Sequence, residues 1–330
     1  MMISFIVNRL VLALVTIWVV TIISFALIQL PPGDYITSYV AQLMTQGEVV
    51  SDQEAEALRE QYGLGSPFVV QYYKWLEKAA VGDFGISMEY QRPVTEVIGD
   101  RLFLTAILAL AAAVFTYAIA IPIGVISAVK QYSVTDYVAT FLGFLGLAVP
   151  NFLLALALLY FGFVLFDANI GGLFSAEYAS APYSIGKIMD LLAHLWLPAL
   201  VLSIAGTAQV IRVLRANMLD ELRRPYVVTA RAKGLGEWRV ILKYPLRVAL
   251  NPVVSTLGYL LPTLVSGSII VSIVMSLPTL GPLLLRALIA QDMFLSGTIV
   301  LMIGIMTVIG TFISDLLLAW VDPRIRMEGG

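Results

Sequence analysis

The polar residues that could do chemistry in this chain are concentrated in one basic segment, residues 226–252, between two long apolar stretches. The segment carries five arginines or lysines and a single acid, Glu237. Charged side chains at this density are too costly to place inside a bilayer. Glycine and proline divide the segment into short helix-forming runs, a pattern more ordered than that of a linker. The segment therefore predicts a docking surface on the cytoplasmic side of a membrane, whose chemistry is binding.

The rest of the sequence offers no catalytic or metal chemistry. There is no cysteine, which excludes disulfides and thiolate sites, and the one histidine is His194. The sequence has no Gly-x-x-x-x-Gly-Lys-Ser/Thr phosphate loop, no nucleophile–base constellation and no metal-ligand spacing. We therefore predict no catalytic residue, no metal site, no cofactor bound by this chain and no nucleic-acid partner. The chain is not expected to be an enzyme by itself.

The elements that must position the basic segment are membrane helices. Of the 330 residues, 59% are hydrophobic and 13% are charged, and the mean hydropathy is +0.90. A soluble domain has roughly 25% charged residues. This much apolar surface cannot be hidden in a water-soluble core, so most of it must face lipid.

Six apolar runs are long enough to cross the roughly 30 Å of a bilayer's hydrocarbon core. The first is predicted to be a retained helix, because it is longer than the roughly 7–15 apolar residues of a cleaved secretory signal. The predicted spans are residues 10–30, 102–129, 137–166, 194–214, 252–277 and 297–321.

The distribution of charge predicts the orientation of these spans. Residues 211–250 hold nine basic side chains against three acidic ones, whereas residues 31–100 hold four against eleven. Basic loops stay on the cytoplasmic side. The first connection is therefore predicted outside and the fourth inside, and six spans then place both termini in the cytoplasm.

Residues 31–100 are too long and too polar to be a simple connector. Ser51 and Glu54 have the spacing of a capping box, which predicts a helix start. A second amphipathic helix is predicted between Pro67 and about Gly82. We expect a small helical cap on the extracytoplasmic side. Two roles stay open for it, bracing the transmembrane bundle or receiving a soluble substrate-carrying protein.

The basic segment itself is predicted to contain two short helices. The first covers residues 228–233, between a break at 223–225 and two glycines, of which Gly234 is the predicted hinge. The second covers residues 237–244, and its apolar face is expected to carry Trp238, Ile241 and Leu242. A short helix between flexible flanks is a rigid lever that can carry force from a moving partner. The alternative is an interfacial helix whose basic side chains bind anionic lipid head groups.

Asp315 and His194 are candidates for a particular role within the predicted spans. Asp315 suggests an ion or substrate path, but we favour a structural pairing with Arg324 or a loop arginine at the inner interface. Asp315 lies about 10 Å of helix rise before Asp322, close enough for that pairing. His194 begins a span beside Trp196, which predicts an interfacial anchor.

Prolines and glycines mark further positions within the spans. Transporters use helix breaks where backbone lines a cavity, and such breaks are expected at Pro122, Pro150, Pro198, Pro252 and Pro262. Two of these prolines have a polar neighbour, which gives as candidates for lining a pathway Pro150, Asn151, Pro262 and Thr263. Close helix packing is expected at Gly143, Gly146, Gly258 and Gly267.

The basic segment resembles the EAA motif, the ATPase-docking loop of ABC importer permeases, in the form found in the dipeptide/oligopeptide/nickel permease family. On this resemblance the docking residues are Val228, Thr229, Ala230, Arg231, Ala232, Lys233, Gly234 and Leu235. The chain departs from the motif at Val228, which stands in the place of the acidic residue. Shorter matches follow the family's order along nearly the whole chain. They are Pro32-Gly-Asp34, Leu58-Arg-Glu-Gln-Tyr-Gly-Leu64, Gly82-Asp-Phe-Gly-Ile-Ser87, Arg92-Pro-Val94, Arg101-Leu102 and Asp322-Pro-Arg324.

The resemblance implies an all-α integral membrane fold, with six transmembrane helices in a type I ABC importer permease bundle. Its parts would be an N-terminal helix (1–30), the cap (31–100) and a permease core (101–330) that contains the docking loop (215–250). The implied partners are a second related permease, two cytoplasmic ATPase subunits or domains that hold ATP and Mg, and an extracytoplasmic solute-binding protein. The implied location is a bacterial inner membrane.

We therefore expect a permease subunit of a binding-protein-dependent ABC importer, which moves a small peptide or similar oligomeric solute with ATP hydrolysed by its partners. Oligosaccharide, glutathione or metal-chelate cargo stays open within the same architecture. An ATP-independent secondary transporter is a rival of a different class, but it would need more intramembrane coupling charge than Asp315. A membrane scaffold or receptor is a second rival, against which the predicted helix breaks count.

Overall fold

The computed structural model of the protein describes residues 2–29, 40, 51–61, 66–166 and 170–321. These residues form mostly α-helices, with a short antiparallel sheet that pairs β1 (Ile86–Ser87) with β2 (Arg92–Pro93). The first helices are α1 (Met2–Gln29), α2 (Asp52–Gln61), α3 (Phe68–Ala80), α4 (Val94–Val129), α5 (Val134–Ala148) and α6 (Asn151–Phe166). They are followed by α7 (Ile185–Leu222), α8 (Pro225–Ala232), α9 (Glu237–Lys243), α10 (Pro245–Ser255), α11 (Leu257–Val274), α12 (Leu280–Ile289) and α13 (Met293–Val321).

The chain divides into two compact units. Unit 1 comprises Met1–Ala13, Leu104–Pro278 and Met306–Gly330, and unit 2 comprises Leu14–Phe103 and Thr279–Ile305. Unit 1 therefore holds the basic segment and α5 to α11, whereas unit 2 holds the sheet with α2, α3 and α12.

Among the described residues, four helical segments are long and apolar enough to cross a membrane: Ser4–Ala26, Val94–Val129, Ile185–Leu222 and Met293–Ala319. The pair α5 and α6, which meet at 103°, would add a fifth span if taken together. The all-α membrane architecture is as predicted, but the number six is not confirmed among the described residues. In the region of the predicted span 252–277, the apolar helix found among the described residues is Thr263–Val274, and the chain is divided at Thr256 between α10 and α11.

The division at Thr256 has a local cause. Its backbone N–H and its hydroxyl both donate to the carbonyl oxygen of Val253, at 3.0 and 2.6 Å. A bond to the third residue back tightens the chain out of the α-helical pattern. The same buried hydroxyl lies 2.7 Å from the Tyr117 hydroxyl of α4, so a contact between helices fixes the position of the break.

The bend between α5 and α6 follows from Pro150. Proline lacks a backbone N–H and disfavours helical geometry in the residue before it. Val149 is accordingly extended, with φ −89° and ψ 121°. The helix restarts at Asn151, and the N–H groups of Leu153 and Leu154 donate to the Pro150 carbonyl. Pro150 and Asn151 thus lie at a break between two helices, and the helix break predicted at Pro150 is confirmed.

Other prolines do not break their helices. α4 continues through Pro122, α7 through Pro198 and α10 through Pro252, so the predicted interruptions at these residues are wrong. Neighbouring helices and small local adjustments can offset the hydrogen bond that a proline removes from a membrane helix. The side chain of Pro262 lies outside the described residues.

Glycine brings α5 and α7 close together in unit 1. A Cβ atom at Gly146 would lie 2.6 Å from Cγ2 of Ile204, and one at Gly143 would be in van der Waals contact with α7 at 3.8 Å. Close packing is therefore confirmed at both glycines. The prediction of close packing is wrong for Gly267, where no described atom lies within 4 Å of the Cβ position. The surroundings of Gly258 lie outside the described residues.

A buried ion pair ties the turn between α4 and α5 to α7. Arg215 donates through Nε and Nη2 to the two carboxylate oxygens of Asp136, each at 2.8 Å. Asp136 is 3% exposed and also accepts from the Ser127 hydroxyl and the Tyr132 N–H. A carboxylate removed from water requires such complete pairing. The pair fixes this turn against the part of α7 that leads into the basic segment.

Asp315 also forms an ion pair, with a partner different from the ones predicted. Nη1 of Arg9 in α1 lies 2.9 Å from Oδ2 of Asp315 in α13. The Arg9 guanidinium also lies over the ring of Phe5, 5.4 Å from its centroid. The predicted partner Arg324 lies outside the described residues. Asp315 thus has the structural role that we favoured, but it joins the first and last helices of the chain.

His194 lies inside α7, which begins nine residues earlier than the predicted span. Its Nδ1 is 2.8 Å from the carbonyl oxygen of Asp190 and 3.4 Å from the Asp190 carboxylate. The ring is therefore held along its own helix. The predicted role as an interfacial anchor stays a prediction.

An aromatic cluster joins three helices in unit 2. Phe25 of α1 and Trp75 of α3 are buried beside Leu301 of α13. The ring of Tyr72 packs edge-on against Phe25, with centroids 5.5 Å apart, and its hydroxyl lies 2.8 Å from the hydroxyl of Thr21. The second predicted outer helix is therefore present as α3, with one face packed.

The first predicted outer helix begins as expected. The Ser51 N–H donates to the Glu54 carboxylate at 2.9 Å, and the Glu54 N–H donates to the Ser51 hydroxyl at 3.3 Å, which is the reciprocal pattern of a capping box. The Ser51 N–H and the Ser51 hydroxyl, which donates to the same carboxylate at 3.0 Å, lower the pKa of Glu54. Residues 31–39, 41–50 and 62–65 of the predicted cap lie outside the described residues.

A buried carboxylate connects the sheet to the start of α13. Oδ2 of Asp292 accepts from the Ser87 hydroxyl at 2.6 Å and from the N–H groups of Met88 and Glu89 at 2.9 and 3.1 Å. Its Oδ1 accepts from the Leu295 N–H at 3.1 Å, so Asp292 caps α13. The partial positive charge of the helix start stabilises this carboxylate, which is 0% exposed.

We predict that Asp136→Ala destabilises unit 1 strongly, because Arg215 is left with a partly buried and unpaired charge. The expected loss is about 3–5 kcal/mol of unfolding free energy, measured as a lower midpoint of thermal unfolding in detergent. The control Glu96→Gln breaks an exposed pair with Arg92 and should cost less than about 1 kcal/mol. Equal, small shifts for both variants would contradict the structural role of the Asp136–Arg215 pair.

Candidate docking site

The basic segment folds into a hairpin of two short helices, α8 and α9. α7 ends at Leu222, and Pro225 opens α8, where its fixed φ suits the first helical turn and its missing N–H is not needed. The turn between the helices contains Gly234 with φ +76°, a conformation that glycine adopts freely. The two-helix pattern predicted from the sequence is confirmed, with α8 starting three residues earlier than expected.

A small apolar core closes this hairpin. Val227 and Ala230 of α8 and Val240 of α9 are buried against one another. Leu235 from the turn and Tyr244 after α9 pack against them. Two helices of eight and seven residues are too short to be stable alone, so this contact is what holds them as one body.

An ion pair reinforces the hairpin on its exposed side. Nη2 and Nε of Arg231 lie 2.6 and 3.0 Å from the two carboxylate oxygens of Glu237. Hydrogen bonds from Arg231 lower the pKa of Glu237, so this carboxylate is ionised at neutral pH. Exposed pairs contribute less than about 1 kcal/mol, but the two-point geometry restricts the angle between the helices.

The start of α8 is held to the end of α7. The Tyr226 hydroxyl donates to the Glu221 carboxylate, and Arg224 Nε lies 3.5 Å from the same side chain. Burial and the Glu221 hydrogen bond raise the pKa of Tyr226 to about 12, so its hydroxyl stays a donor at all physiological pH values. The hairpin is therefore attached at the point where the chain leaves the long helix.

One residue of α9 reaches into the core of the membrane helices. Ile241 is 0% exposed and belongs to a buried cluster with residues of α4, α7 and α10. The other buried members of this cluster are Ala120, Val125, Ala128, Val210, Ile211, Leu214, Met218, Ala249 and Val253. Val240, the preceding residue, is buried under α8. Adjacent residues of α9 thus connect the hairpin to three longer helices.

The predicted docking residues do not all face solvent. Ala230 is buried and Leu235 is half-buried in the hairpin core, whereas Arg231 is held by Glu237. The exposed residues Val228, Thr229 and Ala232 of α8, together with Lys233 directly after it, form a surface that we call the docking face. Gly234 is exposed, with no described atom within 4 Å of its Cβ position. Contact of these residues with a partner stays a prediction.

The prediction that the second helix buries one apolar face is wrong in part. Trp238 and Leu242 lie one turn apart and are each 58% exposed, whereas Ile241 is buried. A helix of seven residues that carries apolar side chains at 238, 240, 241 and 242 cannot bury all of them on one side. Sequence analysis missed the roles of Val227 and Val240, although an adjacent Val–Ile pair in a short helix signals burial on more than one face.

The candidate pathway residues lie apart from this hairpin. Pro150 is exposed and Asn151 half-buried at the bend between α5 and α6. Thr263 is exposed in α11. Whether any of them lines a pathway stays a prediction.

Known proteins match the chain along nearly its whole length. A family described as "Binding-protein-dependent transport system inner membrane component" matches residues 120–327, which include the hairpin and its core. Its N-terminal companion, "Binding-prot-dependent transport system membrane comp, N-term", matches residues 2–109.

Individual relatives also cover nearly the full chain. It is 37% identical to the oligopeptide transport system permease protein AppB of Bacillus subtilis over 326 residues, 98% of this chain and 100% of AppB. It is 38% identical to a putative peptide permease protein of Brucella suis, with 99% and 100% covered. It is 32% identical to the dipeptide transport system permease protein DppB of Escherichia coli, with 98% and 99% covered. This chain is therefore a multi-pass membrane protein of the binding-protein-dependent transport family, whose members are the inner membrane components of such systems.

Proposed function

We propose that the chain is a permease subunit of an ABC importer that moves small peptides or similar oligomeric solutes into the cell. The observation that carries this proposal is the double burial of α9, through Val240 under α8 and through Ile241 among the membrane helices. A partner that pushes on the docking face moves α8, and α9 passes the displacement to α4, α7 and α10. An element of this kind suits a transporter driven from outside its own chain.

The ATP that drives transport would be hydrolysed by two cytoplasmic ATPase subunits or domains, which hold the nucleotide and Mg. A second, related permease would complete the membrane pathway, and an extracytoplasmic solute-binding protein would deliver the cargo. Membership of a binding-protein-dependent family supports these partners. The charge distribution supports an orientation with the hairpin and both termini in the cytoplasm.

In the proposed arrangement six helices cross the membrane, with the bent pair α5 and α6 as one span and α11 as another. Residues 31–100 form the extracytoplasmic cap between the N-terminal helix and the permease core. The helices α2 and α3 lie in this segment, and the packed face of α3 supports a folded cap.

Peptide cargo is proposed from the relatives, which are described as oligopeptide, dipeptide or peptide permeases. Oligosaccharide or metal-chelate cargo would use the same architecture. An ATP-independent secondary transporter loses its main support, because Asp315, its one candidate coupling charge, is paired with Arg9.

The proposal is tested by isolating the tagged chain from its native membrane in mild detergent and identifying the copurifying proteins by mass spectrometry. We expect two ATPase subunits or domains and a second permease. Any copurifying binding protein is then screened for its ligand. Isolation of the chain alone or as a homodimer, under conditions that preserve known importers, would contradict the proposal.

A variant of the turn tests the role of the hairpin. Gly234→Pro should abolish transport-coupled ATP hydrolysis without preventing membrane insertion, because proline requires φ near −65° and Gly234 has φ +76°. Gly234→Asn is the matched control, since asparagine tolerates left-handed geometry, and it should keep most of the coupling. The readout is ATP hydrolysis stimulated by the loaded binding protein in liposomes.

Hydrolysis that stays coupled in Gly234→Pro would show that the hairpin geometry is not needed. If Gly234→Asn also loses coupling, coupling depends on the flexibility of glycine at this position and not on the shape of the turn. That result would agree with the prediction that Gly234 is a hinge.

A further inference from the structure

We propose that the exposed side of α9 binds anionic lipid head groups at the membrane interface. This lipid face consists of Trp238, Arg239, Leu242 and Lys243, all of them exposed. It lies on a different helix from the docking face, and the proposal does not rest on the importer function.

The composition of the lipid face is that of an interfacial helix. Trp238 and Leu242 stand one helical turn apart, so that an indole and an isobutyl group project from the same side. Each is followed directly by a cation, Arg239 or Lys243. Tryptophan prefers the head-group level of a bilayer, where its ring is buried and its N–H is hydrated. Apolar side chains next to cations allow insertion between acyl chains together with attraction to anionic lipids.

The cations of the lipid face are available to a ligand. The acid of α9, Glu237, is occupied by Arg231 of the hairpin. Within the described ranges neither Arg239 nor Lys243 forms an ion pair, and the Lys243 ammonium lies 5.8 Å from the centre of the Tyr244 ring. Two uncompensated positive charges beside two exposed apolar groups complement a lipid with an anionic head group.

The packing of α9 supports a position of this face near the membrane interface. Ile241 shares its buried cluster with Val125 and Ala128, which lie in the last two turns of α4. α4 is long and apolar enough to span the membrane, and the exposed Lys130 follows its last residue. A basic residue directly after an apolar helix marks the level of the head groups. Ile241 belongs to a cluster that reaches this end of α4, which supports a position of Trp238 and Leu242 near the head groups.

The test uses the fluorescence of Trp238 in the full-length chain, reconstituted in lipid nanodiscs. Acyl chains carrying bromine quench tryptophan by contact. Spectra are recorded with brominated phosphatidylglycerol and, separately, with brominated phosphatidylcholine at the same mole fraction. The difference between the unchanged chain and Trp238→Phe isolates the Trp238 signal from those of the other tryptophans. We expect this signal to be quenched about twofold more strongly by the anionic lipid than by the zwitterionic one.

Two further variants assign the preference to the lipid face. The double variant Arg239→Gln, Lys243→Gln should remove the preference for phosphatidylglycerol while leaving quenching by phosphatidylcholine in place. Lys233→Gln removes a charge from the docking face and should leave the preference unchanged.

Equal quenching by the two lipids, or no quenching of Trp238 by either, would overturn the proposal. A protein contact is distinguished by repeating the measurement after the copurified ATPase subunits are bound. Loss of Trp238 quenching on assembly would assign this face to a protein partner and likewise overturn the proposal. Since the assay requires no transport, its failure would leave the proposed importer function untouched.

Discussion

A helix of only seven residues, α9, must bury two neighbouring side chains against two different partners. Val240 closes the core of the hairpin with α8, and Ile241 completes the core that α4, α7 and α10 share. Neither short helix is long enough to be stable alone, so the position of the hairpin depends on these contacts. The same double burial leaves Trp238 and Leu242 exposed, because a helix of this length cannot bury a third face against the protein.

The membrane helices around this point are joined rigidly in some places and interrupted in others. Glycine at position 146 and the Asp136–Arg215 pair hold α5 and its preceding turn against α7. The chain is bent at Pro150 and divided at Thr256, where helical hydrogen bonds are replaced by local ones. Packed interfaces tend to move as units, whereas breaks absorb changes of backbone angle. Displacement of α9 would therefore reach α7 and α10 before it is taken up at these breaks.

The sequence predicted those features that depend on local chemistry or on composition. Charge density and the glycine–proline pattern predicted the hairpin, the spacing of Ser51 and Glu54 predicted the start of α2, and apolar runs predicted most of the membrane helices. The features that it could not predict depend on residues far apart in the chain. The partner of Asp315 is Arg9, about 300 residues away, and the buried side of α9 is decided by α4 and α10. The helices were expected to break at Pro122 and Pro198, since proline removes a helical hydrogen bond. Both helices continue because of tertiary packing, which leaves no signal in the local sequence.

The most direct test of the account is the distance between the hairpin and α10 during the ATP cycle of the assembled transporter. The chain has no cysteine, so spin labels can be placed at Gly236→Cys and Val248→Cys without background. Gly236 has φ −59° and open space at its Cβ position, and Val248 is exposed on α10. If α9 couples the hairpin rigidly to α10, the distance measured by pulsed electron paramagnetic resonance should agree within about 2 Å between the nucleotide-free and vanadate-trapped states. A change of about 5 Å or more on trapping would show that the hairpin moves independently of the membrane helices, and would contradict the account.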